Sequence, residues 1–431
     1  MEIKEAINKS LFFLGAGASK NAGCLLSFDM LSFLRDEIQN DTDNKFLPSE
    51  KKALKFILSC LEYHNEWRTL ELSDKDFKFT PNIEELALII RRIKNRENFI
   101  PYPITGNWSD KLTQLENEYQ REPSTEKKGK TIFEAIDLKL KCELLPEWLN
   151  FDSQNLGYFK PLSDFFRSHP NEKFRLDIFS LNNDLVIEEF SAKNNLSPWR
   201  GFSNGKWVGL DVDEVKMEDF DRINLFKLHG SLDWVRLSTN EFKQKQDLTT
   251  QDEENIDKYH NPYVIFGQGT KTFSIEPFFS LVQHFKKKLS EKEYFFVIGY
   301  SFFDPYINNL LIEATSGNSK KIIIINPKFG PDGIKIEGVF KHLSEDKYFR
   351  IEYPSKTDVN TLAKYIEKIQ TNAFYSELPE YNVSQITSNN IEILPIGFDT
   401  FLQKFFENGG KLFLDFIKDF ENKKNEEEKP F

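Results

Sequence analysis

The stretch from Leu11 to Gly23, LFFLGAGASKNAG, decides the fold prediction for this chain. Four apolar residues run directly into Gly15-Ala16-Gly17, here called the glycine elbow. A short apolar run that ends at glycines is typical of a strand buried on both faces of a parallel sheet. If a helix begins near Ser19, its N-terminus faces the turn and can hold a phosphate group. The stretch therefore predicts a strand, a ligand-binding turn and a helix, with a tight connection that binds nothing as the alternative.

Further apolar runs, separated by helical stretches, predict more strands of the same sheet. They lie at Phe174–Leu181, Asn224–Leu228, Tyr263–Phe266, Tyr294–Ile298 and Lys321–Ile325. This alternation favours a doubly wound, Rossmann-like parallel α/β sheet, which binds ligands at the carboxyl ends of its strands. Polar or glycine-bearing segments follow the strands, namely the glycine elbow, Asn182-Asn183-Asp184, His229-Gly230-Ser231, Gly299-Tyr300-Ser301 and Asn326-Pro327. We therefore expect one ligand site at this edge of the sheet.

The chain is predicted to contain a large helical insertion and a C-terminal extension. Residues 31–170 show little strand signal and several amphipathic helical patterns, so we interpret them as a helical insertion into a domain spanning residues 1–335. Within it, residues 101–131 are rich in Pro, Gly, Ser and charge and are predicted to be partly loop. Residues 336–431 are interpreted as an α-rich extension. Its predicted elements are a strand at Tyr348–Tyr353, helices at Asn360–Ile369 and Phe398–Phe420, and a disordered charged tail.

The composition disfavours several classes of protein. The net charge of −11, from 57 Lys+Arg and 68 Asp+Glu, does not favour direct binding to nucleic acid or to an anionic membrane. The three cysteines form no C-x-x-C pair, so we expect neither a zinc site, nor another metal, nor a disulfide framework. The sequence MEIKEAINKS lacks the apolar core of a signal peptide, and no apolar stretch is long enough to span a bilayer. We therefore expect a cytoplasmic protein. The 42 phenylalanines are assigned no function.

The polar strand ends, taken in order, resemble the motifs of the sirtuin family, in particular the sirtuin-like NAD hydrolases of bacterial anti-phage defence. The glycine elbow with Ser19 looks like the first glycine motif of that family. Residues 180–184, SLNND, stand where the family carries Thr-x-Asn-x-Asp, and residues 227–231, KLHGS, resemble its catalytic histidine segment. Residues 297–305 with Ile325-Asn326 resemble the closing strands beside the adenosine half of NAD. The resemblance covers residues 8–30 and 174–330.

The resemblance implies that NAD is the substrate and assigns roles to individual residues. Asn182 would hold the nicotinamide ribose and the attacking water, and His229 would act as the general base; Asp184 would bond the carboxamide. A histidine suits this role because its ordinary pKa lies near the operating pH. The remaining implied NAD contacts are Gly15, Ala16, Gly17 and Ser19 at the phosphates, and Gly299, Ser301 and Asn326 on the phosphate and adenosine side.

The chain also departs from the deacylase branch of the family. It cannot build the four-cysteine zinc module, and Cys24-Leu25-Leu26 stands where Pro-Asp-Phe-Arg usually follows the third glycine. The resemblance therefore favours hydrolysis of NAD to ADP-ribose and nicotinamide, by an NAD-depleting effector restrained through homo-oligomerisation or a partner. In related systems the partner is a ring ATPase or translocase of the HerA type, or an Argonaute-like protein. This sequence has no phosphate loop, so such an ATPase would be a separate chain.

Other interpretations remain open at this point. The chain could be a sensor subunit of a defence complex that binds NAD or ADP-ribose without hydrolysing it. Nucleic-acid processing is disfavoured by the acidic charge and by the lack of a metal-binding carboxylate cluster. An Asn-Asn-Asp segment after a strand is also a common turn, and a single histidine can be a core residue. The other histidines and two glutamate pairs are interpreted as structural, the glutamates as solvated helix faces: His64, His169, His260, His284, His342, Glu84-Glu85 and Glu188-Glu189.

Overall fold

The computed structural model describes residues 1–40, 45–71, 81–95, 108–123, 129–210, 222–257, 261–267, 275–301, 304–315, 320–327, 391–394 and 396–427. The strand predicted at Tyr348–Tyr353 and the helix predicted at Asn360–Ile369 lie outside these residues.

Parallel strands form the central sheet of the protein. In chain order the strands are β1 (Ser10–Leu14), β2 (Leu176–Ser180), β3 (Phe202–Ser203), β4 (Lys206–Trp207), β5 (Ile223–Lys227), β6 (Trp234–Arg236), β7 (Phe242–Gln244), β8 (Tyr294–Ile298), β9 (Lys321–Ile325) and β10 (Ile391–Leu394). The central sheet has the order β10-β9-β8-β1-β2-β5, and the remaining strands form a small antiparallel sheet ordered β3-β4-β7-β6. The predicted Rossmann-like parallel α/β fold is confirmed.

β1 lies in the middle of the central sheet, at the point where the strand order reverses. Its last residue, Leu14, stands opposite Ser180 of β2 on one side and Ile298 of β8 on the other. The chain passes from β1 to β2 and β5, and then returns to the other side of β1 for β8 and β9. In open α/β sheets a ligand crevice forms at the carboxyl ends of the strands beside such a reversal. The topology therefore makes the glycine elbow, which directly follows β1, the expected place for a ligand.

Helices accompany the sheets in one compact unit and build a second unit. They are α1 (Ile3–Asn8), α2 (Ser27–Asn40), α3 (Pro48–Glu71), α4 (Ile83–Asn95), α5 (Trp108–Arg121), α6 (Ile132–Lys139), α7 (Leu145–Trp148), α8 (Lys160–Ser168), α9 (Val186–Lys193), α10 (Thr250–Glu254), α11 (Phe278–Glu291), α12 (Pro305–Thr315) and α13 (Phe398–Glu427). One compact unit comprises residues 1–24, 151–257 and 272–431 and holds both sheets; the other comprises residues 25–150 and 258–271 and holds α2–α7. Among the helices described, none is both long enough and apolar enough to cross a membrane.

Phenylalanines cover both faces of the central sheet. Adjacent residues of β1 point to opposite faces. On one face the ring of Phe12 lies 5.2 Å from that of Phe296 and 6.2 Å from that of Phe413 in α13. On the other face the ring of Phe13 lies 5.5 Å from that of Phe285 in α11. Part of the high phenylalanine content therefore builds two aromatic layers.

The C-terminal helix α13 folds back on itself. Residues 407–410 leave the helical conformation, and three of them, Asn408, Gly409 and Gly410, have positive φ. The rings of Phe405 and Phe416 lie 5.3 Å apart. A continuous helix would rise roughly 16 Å between these two residues, so the two halves of α13 must lie side by side.

Two predictions for the chain near the sheet are wrong. A 3₁₀-helix, Ala16–Ala22, begins within the glycine elbow and ends at Gly23, which has a φ of 111°. It is therefore not the N-terminus of an α-helix. Tyr263–Phe266 forms no strand, although Tyr263 and Val264 are buried. An apolar run of four residues predicts that the segment is buried, but a buried segment need not be a strand.

Helices also lie in two segments that were predicted to be partly loop or disordered. α5 occupies Trp108–Arg121 within the region predicted as partly loop, because Leu115 and Tyr119 lie four residues apart and are both buried. The charged tail, predicted to be disordered, continues α13 as far as Glu427. In both segments the charged residues masked the helical periodicity.

Replacing Phe285 with alanine should destabilise the protein strongly. Phe285 is fully buried and also packs on Phe179, with the ring centroids 4.9 Å apart. Loss of such a ring costs roughly 3–5 kcal/mol, which chemical denaturation measures directly. Phe279 lies on the same helix and is 47% exposed, so Phe279→Ala is the matched control and should change stability by less than about 1 kcal/mol. Equal losses for the two variants would contradict the aromatic layer.

Candidate functional site

The loops that follow β1 and β8 lie against each other, backbone to backbone. The main-chain N–H of Gly17 donates to the carbonyl oxygen of Gly299 at 2.9 Å. A Cβ on Gly15 would lie 2.6 Å from Cα of Tyr300, and a Cβ on Gly17 would lie 2.8 Å from Cα of Gly299. Gly299 itself has a φ of +60°. The contact between the loops therefore requires these glycines, whether or not a ligand also approaches them.

Asn182, after β2, is bonded to the glycine elbow. Its Nδ2 donates to the carbonyl oxygen of Gly15 at 2.9 Å and to Oγ of Ser19 at 3.0 Å. A carbonyl oxygen only accepts hydrogen bonds, so the side-chain amide must present its NH₂ to Gly15. Both amide protons are used, and Oδ1 has no hydrogen-bond partner among the described residues. Oδ1 is therefore the acceptor that this side chain can offer to a ligand.

His229, after β5, faces a carboxylate. Its Nε2 lies 3.3 Å from Oδ2 of Asp304, and both residues are less than a tenth exposed. The other carboxylate oxygen of Asp304 accepts from the main-chain N–H groups of Tyr306 and Ile307 at the start of α12. The helix start thus fixes Asp304. Sequence reasoning missed this residue, although an aspartate directly before Pro305 is a typical start of a helix.

The segments that carry Asn182 and His229 are tied together by Asn183. Its Nδ2 donates to the carbonyl oxygens of His229, at 2.8 Å, and of Gly230, at 3.2 Å. The strands before these segments are neighbours in register, with Ser180 opposite Lys227. The amide and the imidazole therefore follow adjacent strand ends and belong to one hydrogen-bonded assembly.

The other predicted site residues lie along the same edge. Asp184 is buried, and its Oδ1 accepts from the main-chain N–H of Val186, the first residue of α9. Ser301 is half-buried after β8. Asn326, after β9, donates from Nδ2 to the carbonyl oxygen of Tyr300 at 3.1 Å. Ala16 is exposed at the elbow. Every predicted residue is thus at the carboxyl end of the sheet, while direct contact joins Asn182 to the elbow and Asn326 to the β8 loop.

A buried charge network, which the sequence did not reveal, lies beneath Asn182 and His229. It consists of Lys227, Glu188, Arg200 and Asp233. Oε1 of Glu188 lies 3.4 Å from Nζ of Lys227 and 2.9 Å from NH2 of Arg200. Arg200 forms a bidentate pair with Asp233 at 2.7 and 2.8 Å. We call these four residues the buried charge network.

Burial and charge shift the pKa values within this network. Burial raises the pKa of Glu188 above its usual value, although Lys227 and Arg200 act against this effect. Burial also opposes ionisation of Asp233, but the charge and hydrogen bonds of Arg200, with a bond from Ser231, lower its pKa to about 2. The interpretation of Glu188 as part of a solvated helix face is therefore wrong.

The glutamate pair on α4 was also misjudged. Glu85 is buried and accepts from the main-chain N–H of Asn82 at 3.2 Å, while Asn82 Oδ1 accepts from the main-chain N–H of Glu85 at 3.1 Å. Glu84 accepts from the main-chain N–H of Gly267 at 2.6 Å. These side chains cap a helix and hold a loop, and this is a structural role.

Cys24 offers no alternative nucleophile at this edge of the sheet. Burial, with the nearby charge of Asp184, raises the pKa of the Cys24 thiol well above its usual range, so the thiol stays protonated. A protonated thiol is a poor nucleophile. No group of three or more His, Cys, Asp or Glu side chains in the described residues is arranged to hold a metal ion.

Part of the chain that carries these strand-end residues matches a known family model. Residues 177–336 match the family model described as a SIR2-like domain, which is consistent with the sirtuin-like domain that the strand-end motifs predicted. The match includes Asn182 and His229 and begins after the glycine elbow. A search of curated proteins finds no match to this chain.

The Arg200–Asp233 pair should make stability depend on acid pH. Because the folded-state pKa of Asp233, about 2, lies below the unfolded value of about 3.9, this carboxylate stabilises the fold fully above that value. The stabilisation is then lost as the pH falls towards 2. The excess unfolding free energy of wild type over Asp233→Asn should be roughly 2 kcal/mol or more above pH ~5, and should shrink between about pH 4 and 2.

Denaturant unfolding at a series of pH values measures this excess. Asp164 is an exposed carboxylate on α8, so Asp164→Asn serves as the control and should differ little from wild type throughout. An excess for Asp233 that stays constant down to pH 2 would contradict the buried pair.

Proposed function

We propose that this chain is an NAD glycohydrolase that cleaves NAD with water to ADP-ribose and nicotinamide. The SIR2-like domain supports the use of NAD. The observation that carries the finer proposal is the pairing of two groups at neighbouring strand ends. One is Asn182, with its NH₂ held by the glycine elbow; the other is His229, facing Asp304. The first offers an acceptor for a ribose hydroxyl or a water, and the second offers a base.

The residues present fit the dinucleotide chemically. Oδ1 of Asn182 is an acceptor in a mostly buried place, and the edge beside β1 is where open α/β sheets bind ligands. When NAD is bound, it supplies an N-glycosidic bond whose cleavage releases neutral nicotinamide, so no acid is needed for the leaving group. Asn182 holds the ribose and the water, and His229 takes the proton of that water as its oxygen bonds to the ribose carbon. The carboxylate of Asp304 stabilises the resulting imidazolium.

The biological part of the proposal follows from the resemblance stated above. An enzyme that depletes NAD would harm its own cell if it were always active. We therefore propose an anti-phage effector that is held in check by homo-oligomerisation or by a separate partner, of the ATPase, translocase or Argonaute-like kind.

A second candidate function is a sensor that binds NAD or ADP-ribose without hydrolysing it. Two observations favour it. The elbow glycines are already required by the contact with Gly299, and Asp184 already accepts a hydrogen bond from the first residue of α9. These residues therefore have structural roles that require no chemistry.

Cleavage of a fluorescent NAD analogue separates the two functions. Removing a general base costs roughly a hundredfold to ten-thousandfold in rate, so His229→Ala should lose that much activity. Asn182→Ala should lose a comparable factor because the ribose is no longer held. His169→Ala is the matched control, since His169 packs on Phe165 at the surface, and it should keep the wild-type rate.

Two outcomes would contradict hydrolysis. If wild-type protein binds NAD but releases no nicotinamide, the sensor function stands in its place. If His229→Ala keeps a rate within a few-fold of wild type, His229 is not the base.

A further inference from the structure

Lys227 is a fully buried lysine whose side chain leaves the sheet to reach a loop. It is the last residue of β5, and its side chain is 1% exposed. Nζ donates to the main-chain carbonyl oxygens of Asn182, at 3.2 Å, and of Asp184. The third direction of the ammonium is towards Glu188, at 3.4 Å. Two of the three donors of the ammonium group therefore make hydrogen bonds, and the contact with Glu188 is an ion pair.

A charged side chain at this place is costly and calls for a reason. Burying an ion is costly unless other charges and hydrogen bonds compensate it, and Lys227 is 1% exposed although β5 is the edge strand of the central sheet. Here the charges are balanced, because the buried charge network contains two basic and two acidic residues. An apolar residue would fill the space without these ions, but it could not hold the two carbonyl oxygens.

Those two carbonyl oxygens flank Asn183 in the segment that joins the site together. On one side Asn182 reaches the glycine elbow, and in the middle Asn183 reaches the carbonyl oxygens of His229 and Gly230. Fixing the main chain at residues 182 and 184 therefore sets the direction of both asparagine side chains. It also sets the position of the His229 segment, which Asn183 holds.

We propose that Lys227 is a positioning residue for the site: its buried ammonium holds residues 182–184 so that Oδ1 of Asn182 and the ring of His229 keep their mutual placement. The kinetic part of this inference rests on the proposed NAD hydrolysis. The structural part, that Lys227 immobilises residues 182–184, does not depend on it.

The test uses the full chain with two variants and a control. Lys227→Met removes the ammonium but keeps an unbranched side chain. Lys227→Met removes one of the two cations beside Glu188. The double variant Lys227→Met with Glu188→Gln also removes the negative charge of Glu188, so that no poorly compensated charge is left. Lys292→Met is the matched control: Lys292 is another buried lysine, 2.7 Å from Asp177, and it lies at the start of β8, away from the carboxyl-end edge.

Three readouts are expected to separate positioning from stability. In Lys227→Met, kcat for NAD should fall about tenfold to a hundredfold with a smaller change in KM, since displacements of about 1 Å have such effects. Hydrogen exchange of the peptide covering residues 181–186 should become faster. The double variant should recover part of the lost Tm, while kcat stays low and exchange stays fast. Lys292→Met should lower Tm but leave kcat within a few-fold of wild type.

Each outcome decides the inference. If kcat and the exchange rate recover together with Tm in the double variant, Lys227 serves stability alone and the proposal is overturned. If Lys227→Met does not fold, the double variant alone is compared with Lys292→Met on the same readouts. If wild type releases no nicotinamide, the proposed hydrolysis fails, and the exchange rate of residues 181–186 still decides whether Lys227 holds the loop.

Discussion

The contact between two main-chain loops organises the site. The loops after β1 and β8 approach so closely that side chains at Gly15, Gly17 or Gly299 would overlap neighbouring backbone atoms. This contact fixes the elbow, and the fixed carbonyl oxygen of Gly15 in turn orients the amide of Asn182. Three strand ends thereby become one rigid edge at the reversal of strand order. A binding group on such an edge is placed by backbone packing, which is stiffer than a chain of side-chain contacts.

Beneath this edge the protein places buried ions, where apolar side chains would avoid the cost of desolvation. Burying the pairs of Lys227 with Glu188 and of Arg200 with Asp233 gains less net stability than the attraction between the charges alone would give, because desolvation offsets part of it. What the buried ions provide is a fixed orientation of the groups that they bond. Hydrogen bonds from an ammonium or a guanidinium fix carbonyl and carboxylate oxygens at set distances, which dispersion contacts do not do. Aromatic layers from α11 and α13 supply the stability instead, through rings packed on both faces of β1.

Much of the fold and the edge of the site could be predicted from local sequence, because apolar runs that end in glycine or asparagine mark inner strands and their carboxyl ends. What could not be predicted depends on contacts between distant residues. The sequence predicts a solvated Glu188, because its neighbours Lys227 and Arg200 are distant in sequence and approach it only in the folded protein. The strand Ile391–Leu394 could not be predicted because it depends on parallel pairing with β9, which is distant in sequence. Asp304 stands directly before Pro305 and bonds the start of α12, which is a local role. Its contact with His229 joins residues that are far apart in sequence, so local sequence could not predict it.

The structure of the wild-type protein with a non-hydrolysable NAD analogue tests the proposed site most directly. We expect the nicotinamide ribose beside β1, with a hydroxyl about 3 Å from Oδ1 of Asn182 and the reacting carbon facing His229. Such a complex would show the amide and the imidazole acting on one ribose. An analogue bound elsewhere, or bound at the elbow with its ribose out of reach of both side chains, would contradict the proposed site.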